Sequence, residues 1–182
     1  MYGANFNYNN TDNVYQWSPT TGELTINGVG QGTPGDNRVL MTIWDGGGTD
    51  TYNFSNYATA VSIDLRPGEF TFLPPAQTPI LGAYSSGNIA NALLYNNDTR
   101  SLIENAIGSS GNNTITGNEA VNLLDGGPGD DRMFGNAGDD LLLGGDGNDA
   151  LFAGEGTDIV KGGLGNDQLV GEAGDDWLNG EE

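Results

Sequence analysis

The sequence predicts an all-β protein: a parallel β-roll over residues 108–182, capped by a β-rich N-terminal half. Three observations predict it. First, residues 126–179 divide without gaps into nines: GGPGDDRMF, GNAGDDLLL, GGDGNDALF, AGEGTDIVK, GGLGNDQLV and GEAGDDWLN. Second, each place in the unit keeps its character. The fourth is Gly (129, 138, 147, 156, 165, 174), the sixth is Asp (131, 140, 149, 158, 167, 176), and the eighth is Met133, Leu142, Leu151, Val160, Leu169 or Leu178. Two weaker units precede in the same frame, GSSGNNTIT from Gly108 and GNEAVNLLD from Gly117. Third, short alternating apolar runs bounded by Gly and Pro recur upstream.

The unit follows from local chemistry. Six Gly-rich residues make a turn, because Gly takes positive φ freely. The last three form a minimal strand whose middle side chain points opposite to its neighbours. Each unit is half a coil, so turns 18 residues apart stack and the eighth-place side chains meet inside as a thin core. Stacking also gathers carboxylates: Asp131, Asp149 and Asp167 on one edge, Asp140, Asp158 and Asp176 on the other. Carboxylates about 4.8 Å apart repel. A hard cation between them reverses that, and Ca2+ takes six to eight oxygens at about 2.3–2.6 Å. This nonapeptide resembles the calcium-binding parallel β-helix repeat of RTX proteins. A disordered Gly/Asp-rich tract is the bland alternative, and the fixed sixth and eighth places oppose it.

Composition sharpens the picture. Among 182 residues, 25 acids face five bases, a net charge of −20, and 16 of the acids lie in residues 117–182 against Arg132 and Lys161. Such density opposes folding by self-repulsion and argues against nucleic acid or an anionic membrane as partner. There is no Cys and no His, so neither disulfides nor His/Cys zinc sites are available. No apolar run is long enough for a transmembrane helix, and the start MYGANFNYNN is too polar for a signal peptide. Weak calcium sites fill outside cells rather than in a cytosol, which favours an extracellular protein.

Residues 1–20 are Asn-rich with Tyr2, Phe6, Tyr8, Tyr15 and Trp17 scattered among them. They are expected as extended coil, a junction into a β-rich half spanning 21–107. Gly22–Gly30 reads as one short strand and Gln31–Asn37 as a turn around Pro34-Gly35. Val39–Trp44, the most apolar run, predicts a buried strand. Asp45-Gly-Gly-Gly-Thr-Asp50 and then TYNF form a divergent copy of the repeat, with Asp45 and Asp50 as candidate ligands; an ordinary hairpin turn is the alternative. Ala60–Leu65 and Glu69–Leu73 alternate as strands. Pro74, Pro75 and Pro79 predict a rigid surface loop. Asn88–Tyr95 is a helix or a strand. Leu102–Ile107 leads into the roll, with Glu104 as ligand or surface charge.

Several stretches are more specific than the repeat. TIWDGGGTDTYNFSNY (42–57), SIDLRPGEF (62–70) and IENAIG (103–108), followed by the nonapeptides, closely resemble the C-terminal domain of serralysins, secreted bacterial zinc metalloproteases with RTX repeats. YGAN (2–5) and DNVYQW (12–17) look like the end of that family's protease domain. The resemblance implies a right-handed parallel β-roll with several Ca2+ ions between stacked turns. Places two, four and six of one turn then join places one, three and six of the turn 18 residues on. Gly127, Gly129 and Asp131 face Gly144, Asp146 and Asp149. Asn136, Gly138 and Asp140 face Ala153, Glu155 and Asp158. Gly145, Gly147 and Asp149 face Gly162, Leu164 and Asp167. Gly154, Gly156 and Asp158 face Gly171, Ala173 and Asp176. Only the sixth place gives a side chain. Weaker sites pair Gly111 and Asn113 with Asp131, and Asn122 with Asp140, a neutral amide replacing one carboxylate. Upstream, one implied site uses Asn9, Thr11, Asn13, Asp45, Gly47 and Asp50, and another Gly48, Asp50, Leu102 and Glu104. The family's HExxHxxGxxH zinc helix cannot occur without His. The chain stops at Asn179-Gly-Glu-Glu182, before the family's secretion tail, and reads as an excised or truncated accessory domain.

Three functions follow. One is a calcium-gated folding module supporting type I secretion from a Gram-negative bacterium and covalently linked to a protease domain in the parent protein. The second is an enzyme using Asp130/Asp131, Asp139/Asp140 and Asp175/Asp176 as paired acids; their recurrence at the repeat period instead marks a ligand beside an exposed residue, so no catalysis is expected of this chain. The third is a stand-alone partner-binding or self-associating module. It would use outward columns of Leu123, Leu141, Ile159 and Trp177 on one sheet and Thr116, Phe134, Phe152 and Val170 on the other. No outward Thr/Asn rank recurs, which speaks against an ice-binding array.

Overall fold

The computed structural model describes residues 9–34, 37–74 and 88–181. In chain order the strands are β1 (Val14–Trp17), β2 (Leu24–Ile26), β3 (Val29–Gly30), β4 (Met41–Ile43), β5 (Thr51–Asn53), β6 (Ser62–Asp64), β7 (Phe70–Thr71), β8 (Ile89–Asn91), β9 (Asn105–Ile107), β10 (Thr114–Thr116), β11 (Leu123–Pro128), β12 (Arg132–Ala137), β13 (Leu141–Asp146), β14 (Ala150–Glu155), β15 (Ile159–Leu164), β16 (Gln168–Ala173) and β17 (Trp177–Asn179). Helix in the described residues is of the short 3-10 kind, as at Tyr95–Asn97 and Thr99–Ser101.

The repeat closes at the expected period. β11, β13, β15 and β17 pair in parallel, aligning Leu123, Leu141, Ile159 and Trp177. β10, β12, β14 and β16 do the same on the opposite side, aligning Ile115, Met133, Leu151 and Leu169. Each step along either sheet is 18 residues of chain, so the protein is a parallel β-solenoid. The eighth-place side chains face inward: Ile115, Leu124, Met133, Leu142, Leu151 and Val160 are fully buried, while Leu178 at the last turn is 42% exposed. One aliphatic side chain per half-coil is a narrow core. Burying each contributes about 1.5–3 kcal/mol, which leaves the turns dependent on whatever else ties them together.

Both sheets continue into the N-terminal half. β9 and β5 extend the first sheet, Thr51 pairing with Asn105 and Asn105 with Leu123, and β1 pairs in parallel with β5. β6 extends the second sheet against β10. The divergent copy at Asp45–Phe54 is thus a coil of the same roll, not a hairpin. Here the core widens into an aromatic cluster. Trp17 stacks on Phe54 at 5.2 Å between ring centroids, Tyr52 meets Trp17 edge-on at 5.3 Å, and Tyr57 packs on Phe54 at 5.7 Å. Tyr15 and Trp17, expected in extended coil, belong to β1. Its VYQW alternation turns both rings inward and leaves Val14 exposed.

Three other expectations change. Gly22–Gly30 is a hairpin rather than one strand: Asn27 (φ 52°) and Gly28 (φ 78°) form the two-residue turn between β2 and β3, as Asn-Gly favours. Val39–Trp44 is not a buried strand. β4 sits at the edge of a three-stranded sheet, β4-β8-β7, and Leu40 is 56% exposed. Asn88–Tyr95 resolves as strand β8 followed by a 3-10 turn. Its Asn91 ties the small sheet to the roll, accepting from the Tyr52 hydroxyl at 2.7 Å and donating to the Asp64 carbonyl at 2.7 Å. Of the expected proline loop only Pro74 is described; Pro75 and Pro79 lie outside the described residues, as do Tyr2, Phe6, Tyr8 and the stretch 2–5.

Candidate metal centre

The sixth-place residues form two ladders along the edges of the roll. On the first, the backbone N–H of Asn113 donates to Asp131 Oδ1 (2.6 Å), that of Asp131 to Asp149 Oδ1 (2.7 Å), and that of Asp149 to Asp167 Oδ1 (3.0 Å). On the second, Asn122 donates to Asp140 (2.8 Å), Asp140 to Asp158 (2.7 Å) and Asp158 to Asp176 (3.0 Å). Each carboxylate therefore reaches back one turn, and stacked strands fix it there.

One oxygen per carboxylate is left over. Oδ2 of Asp131, Asp140, Asp149, Asp158 and Asp167 is buried without a hydrogen-bond partner. A buried acceptor in that state costs about 1–3 kcal/mol, and five in register demand an occupant. Backbone oxygens share the same place. A Cβ built on Gly126 would sit 2.7 Å from the Gly144 carbonyl oxygen and still closer to Asp131 Oδ2. The corresponding spot at Gly135 meets the Ala153 carbonyl and Asp140 Oδ2, and that at Gly144 meets the Gly162 carbonyl and Asp149 Oδ2. Acceptor lies beside acceptor at each, an arrangement that suits a cation between them.

The remaining expected donors are partly aligned. Carbonyls at places two and four (Gly127, Asn136, Gly145, Gly129, Gly138, Gly147, Gly156) point at the same place of the next turn, where a Cβ would collide with them. Place-three carbonyls accept from place-four N–H groups one turn back: Asp146 from Gly129 (2.7 Å), Glu155 from Gly138 (2.9 Å), Leu164 from Gly147 (2.8 Å) and Ala173 from Gly156 (2.9 Å). Among the described residues no three His, Cys, Asp or Glu side chains form a metal-holding group, so a cation here would have to draw on backbone oxygens as well.

The upstream candidates extend the second ladder. The Asn13 N–H donates to Asp50 Oδ1 at 2.7 Å and the Asp50 N–H to Glu104 Oε2 at 2.7 Å. Asp50 Oδ2 is again buried without a partner, and Leu102 is buried. Asp45 accepts from the Gly47 N–H (2.8 Å), from Asn13 Nδ2 (3.2 Å) and from the Tyr15 hydroxyl. The Asn9 and Thr11 carbonyls also accept from Asn13 Nδ2, and the Thr11 carbonyl abuts Gly48 (φ 136°). The structure thus brings Asn9, Thr11, Asn13, Asp45 and Asp50 together, and Asp50 with Glu104.

Sequence reasoning treated place five as merely exposed. It carries a second ladder of opposite direction. Asp130 N–H donates to Asn112 Oδ1 (3.1 Å), Asn148 N–H to Asp130 Oδ1 (2.8 Å), Asn166 N–H to Asn148 Oδ1 (3.1 Å) and Thr157 N–H to Asp139 Oδ1 (2.8 Å). The signal was Asn or Asp at this place in Asn112, Asp130, Asn148 and Asn166. The outward columns do face out: Leu123, Ile159 and Trp177 are exposed, and Phe134 stacks on Phe152 beneath the Arg132 guanidinium.

Burial dominates the electrostatics. It pushes Asp131 and Asp140 up to about 7, a rise opposed by the N–H of Asn113 or Asn122 and reinforced by the charge of Asp149 or Asp158. Burial also raises Glu104 to about 7, and raises Asp50, Asp149 and Asp158. A carboxyl whose folded value exceeds its unfolded one stabilises the fold most below the ordinary carboxylate range. For Asp131, Asp140 and Glu104 that contribution is lost as pH rises from the ordinary carboxylate range towards 7. The calcium-free chain is therefore expected to melt higher at pH 5 than at pH 8. With millimolar calcium the order reverses, because protons compete with the ion. Thermal unfolding at the two pH values, with and without calcium, checks both signs.

Comparison with known proteins agrees with this geometry. The RTX calcium-binding nonapeptide repeat (4 copies) matches residues 101–133, 125–160 and 152–182. The chain is 33% identical to Metallopeptidase AprA of Pseudomonas marginalis over 124 residues, 68% of this chain and 22% of that protein. It is 35% identical to Serralysin of Proteus mirabilis over 68% of this chain and 21% of that protein. Serralysin G of Dickeya chrysanthemi is 34% identical over 69% of this chain and 22% of its own length. The chain spans about a fifth of the length of these relatives, in their C-terminal RTX regions and not in a catalytic domain. With its stacked nonapeptides and two carboxylate ladders, the chain belongs to the RTX β-roll domains of serralysin type.

Proposed function

We propose that this chain is the calcium-binding accessory domain of a secreted, serralysin-like zinc metalloprotease, folding when it binds calcium outside the cell. The observation that carries the reading is the row of buried carboxylate oxygens without donors, with a backbone carbonyl beside those of Asp131, Asp140, Asp149 and Asp167. Asp131 with Asp149, Asp149 with Asp167, Asp140 with Asp158, and Asp158 with Asp176 would hold the ions with the neighbouring carbonyls, and Asp50 would do so with Glu104. When bound, calcium supplies positive charge and a coordination shell that the chain itself lacks.

A net charge of −20 and a single-file core leave residues 108–182 largely unfolded without the ion, a state suited to type I export. Calcium outside the cell binds the folded form only and stabilises it by mass action. Catalysis belongs to a covalently linked protease domain of the parent protein, because a chain with no His cannot hold that family's zinc motif. Far-UV circular dichroism during a calcium titration tests the proposal. A coil-to-β change reversed by chelator is expected; a spectrum already fully β in chelator and unmoved by calcium contradicts it.

A further inference from the structure

Asn113 occupies the sixth place of the first turn on its edge, where later turns carry aspartate. In those turns a bare carboxylate oxygen faces a carbonyl oxygen. Beside Gly108 the pairing differs: the atoms in the equivalent spot are the Gly126 carbonyl oxygen and Asn113 Nδ2, the latter 2.8 Å from where a Cβ would stand. A donor replaces one of two acceptors.

Asn113 Nδ2 donates to the Ser109 carbonyl (3.2 Å), the Gly126 carbonyl (3.2 Å) and Asp131 Oδ1 (3.0 Å). These oxygens stand at place two of its own turn and at places one and six of the next, where the ligand pattern puts a cation. The amide's other end is fixed, since Oδ1 accepts from Ser109 Oγ (2.6 Å) and from the Val61 N–H (3.1 Å). Those two donors orient the amide, and the side chain is only 2% exposed.

We propose that the Asn113 amide takes the cation's place in the rung between Ser109–Asn113 and Gly126–Asp131, so that this rung closes without calcium. The inference rests on the reading that the acidic rungs hold calcium. An amide nitrogen about 3 Å from three oxygens fills the space an ion would need at about 2.3–2.6 Å from them. Swinging it out would strip the buried Val61 N–H and Ser109 hydroxyl of their acceptor. Asn113 also leaves one carboxylate in the rung instead of two, which removes the repulsion that calcium relieves elsewhere. Through Val61 the closed rung is tied to the segment leading into β6. It forms a calcium-independent template on which the acidic turns stack.

The test compares the wild-type chain with Asn113→Asp. Calcium is counted by calorimetry and located by anomalous scattering, and exchange of the Asn113 and Arg132 amides is followed in calcium-free buffer. Asn113→Asp is expected to bind one more ion than wild type, and its amides at this rung to exchange at least tenfold faster without calcium. An ion at this rung in wild type overturns the proposal, as does an unchanged count in a variant that keeps the wild-type ions. If the variant does not fold, the wild-type anomalous map alone decides. A wild-type map with no ion at any rung overturns this proposal together with the reading it rests on; an ion at Asn113 alongside the others overturns this one alone.

Discussion

Asp149→Ala is expected to remove two calcium ions from the roll, and Asp167→Ala one. Asp149 sits between two turns of its edge: its Oδ1 accepts from the Asp131 N–H, and its own N–H donates to Asp167 Oδ1. It belongs to the rung below and the rung above, whereas Asp167 shares a rung with Asp149 alone among the described residues. Each alanine also strips a backbone N–H of its acceptor, that of Asp131 or that of Asp149, at a cost of about 1–3 kcal/mol. Each lost ion forfeits about 2.7 kcal/mol where free calcium is a hundredfold above its dissociation constant. The middle-of-ladder variant thus suffers roughly twice the ion-linked loss of the end variant. Calorimetric stoichiometry and melting temperature at saturating calcium check both. Equal losses for the two variants would mean that the ladders are not shared sites.

Gly147→Ala is expected to unravel the roll from its middle, even with calcium present. Gly147 has φ 147°, a region that costs an L-residue about 1–3 kcal/mol by itself. A Cβ there would also drive into the Gly129 carbonyl oxygen, one of the oxygens aimed at the interval between turns. Sliding the turns apart to admit it would lengthen the Asp131–Asp149 hydrogen bond of 2.7 Å. The variant therefore loses backbone geometry and cation site together. Ala120, at the same place in the unit starting at Gly117, has no positive φ, so alanine is accepted where the turn is not yet part of the regular stack. Melting of Gly147→Ala in saturating calcium, expected well below wild type, is the check; a wild-type melt would remove the steric basis of the glycine pattern.

What was legible in the sequence was what repeats. Asp at six, Gly at four and an aliphatic at eight fixed the pairing of Leu123 with Leu141 and of Met133 with Leu151, because every coil states the register again. The upstream coils were legible only in part. The turn at Asp45–Asp50 kept its Gly/Asp signature, but its strand pairs with Asn105–Ile107 across an intervening segment, and no periodicity spans such an interruption. Tyr15 and Trp17 were hidden for a different reason. Their alternation is four residues long, and it is tertiary packing against Tyr52 and Phe54 that makes it a core strand. The apolar run Val39–Trp44 misled because hydrophobicity does not tell an edge strand from a central one. At the site, the carboxylates were readable by spacing, while the place-five ladder was hidden by residues that are exposed and varied between Asn, Asp and Thr.

Anomalous diffraction from crystals grown in millimolar calcium tests the central claim most directly. The account predicts a calcium peak beside Oδ2 of each of Asp131, Asp149, Asp140 and Asp158, between that aspartate and the one a turn further on. Intact, stacked turns with no peak at any of these positions would contradict it.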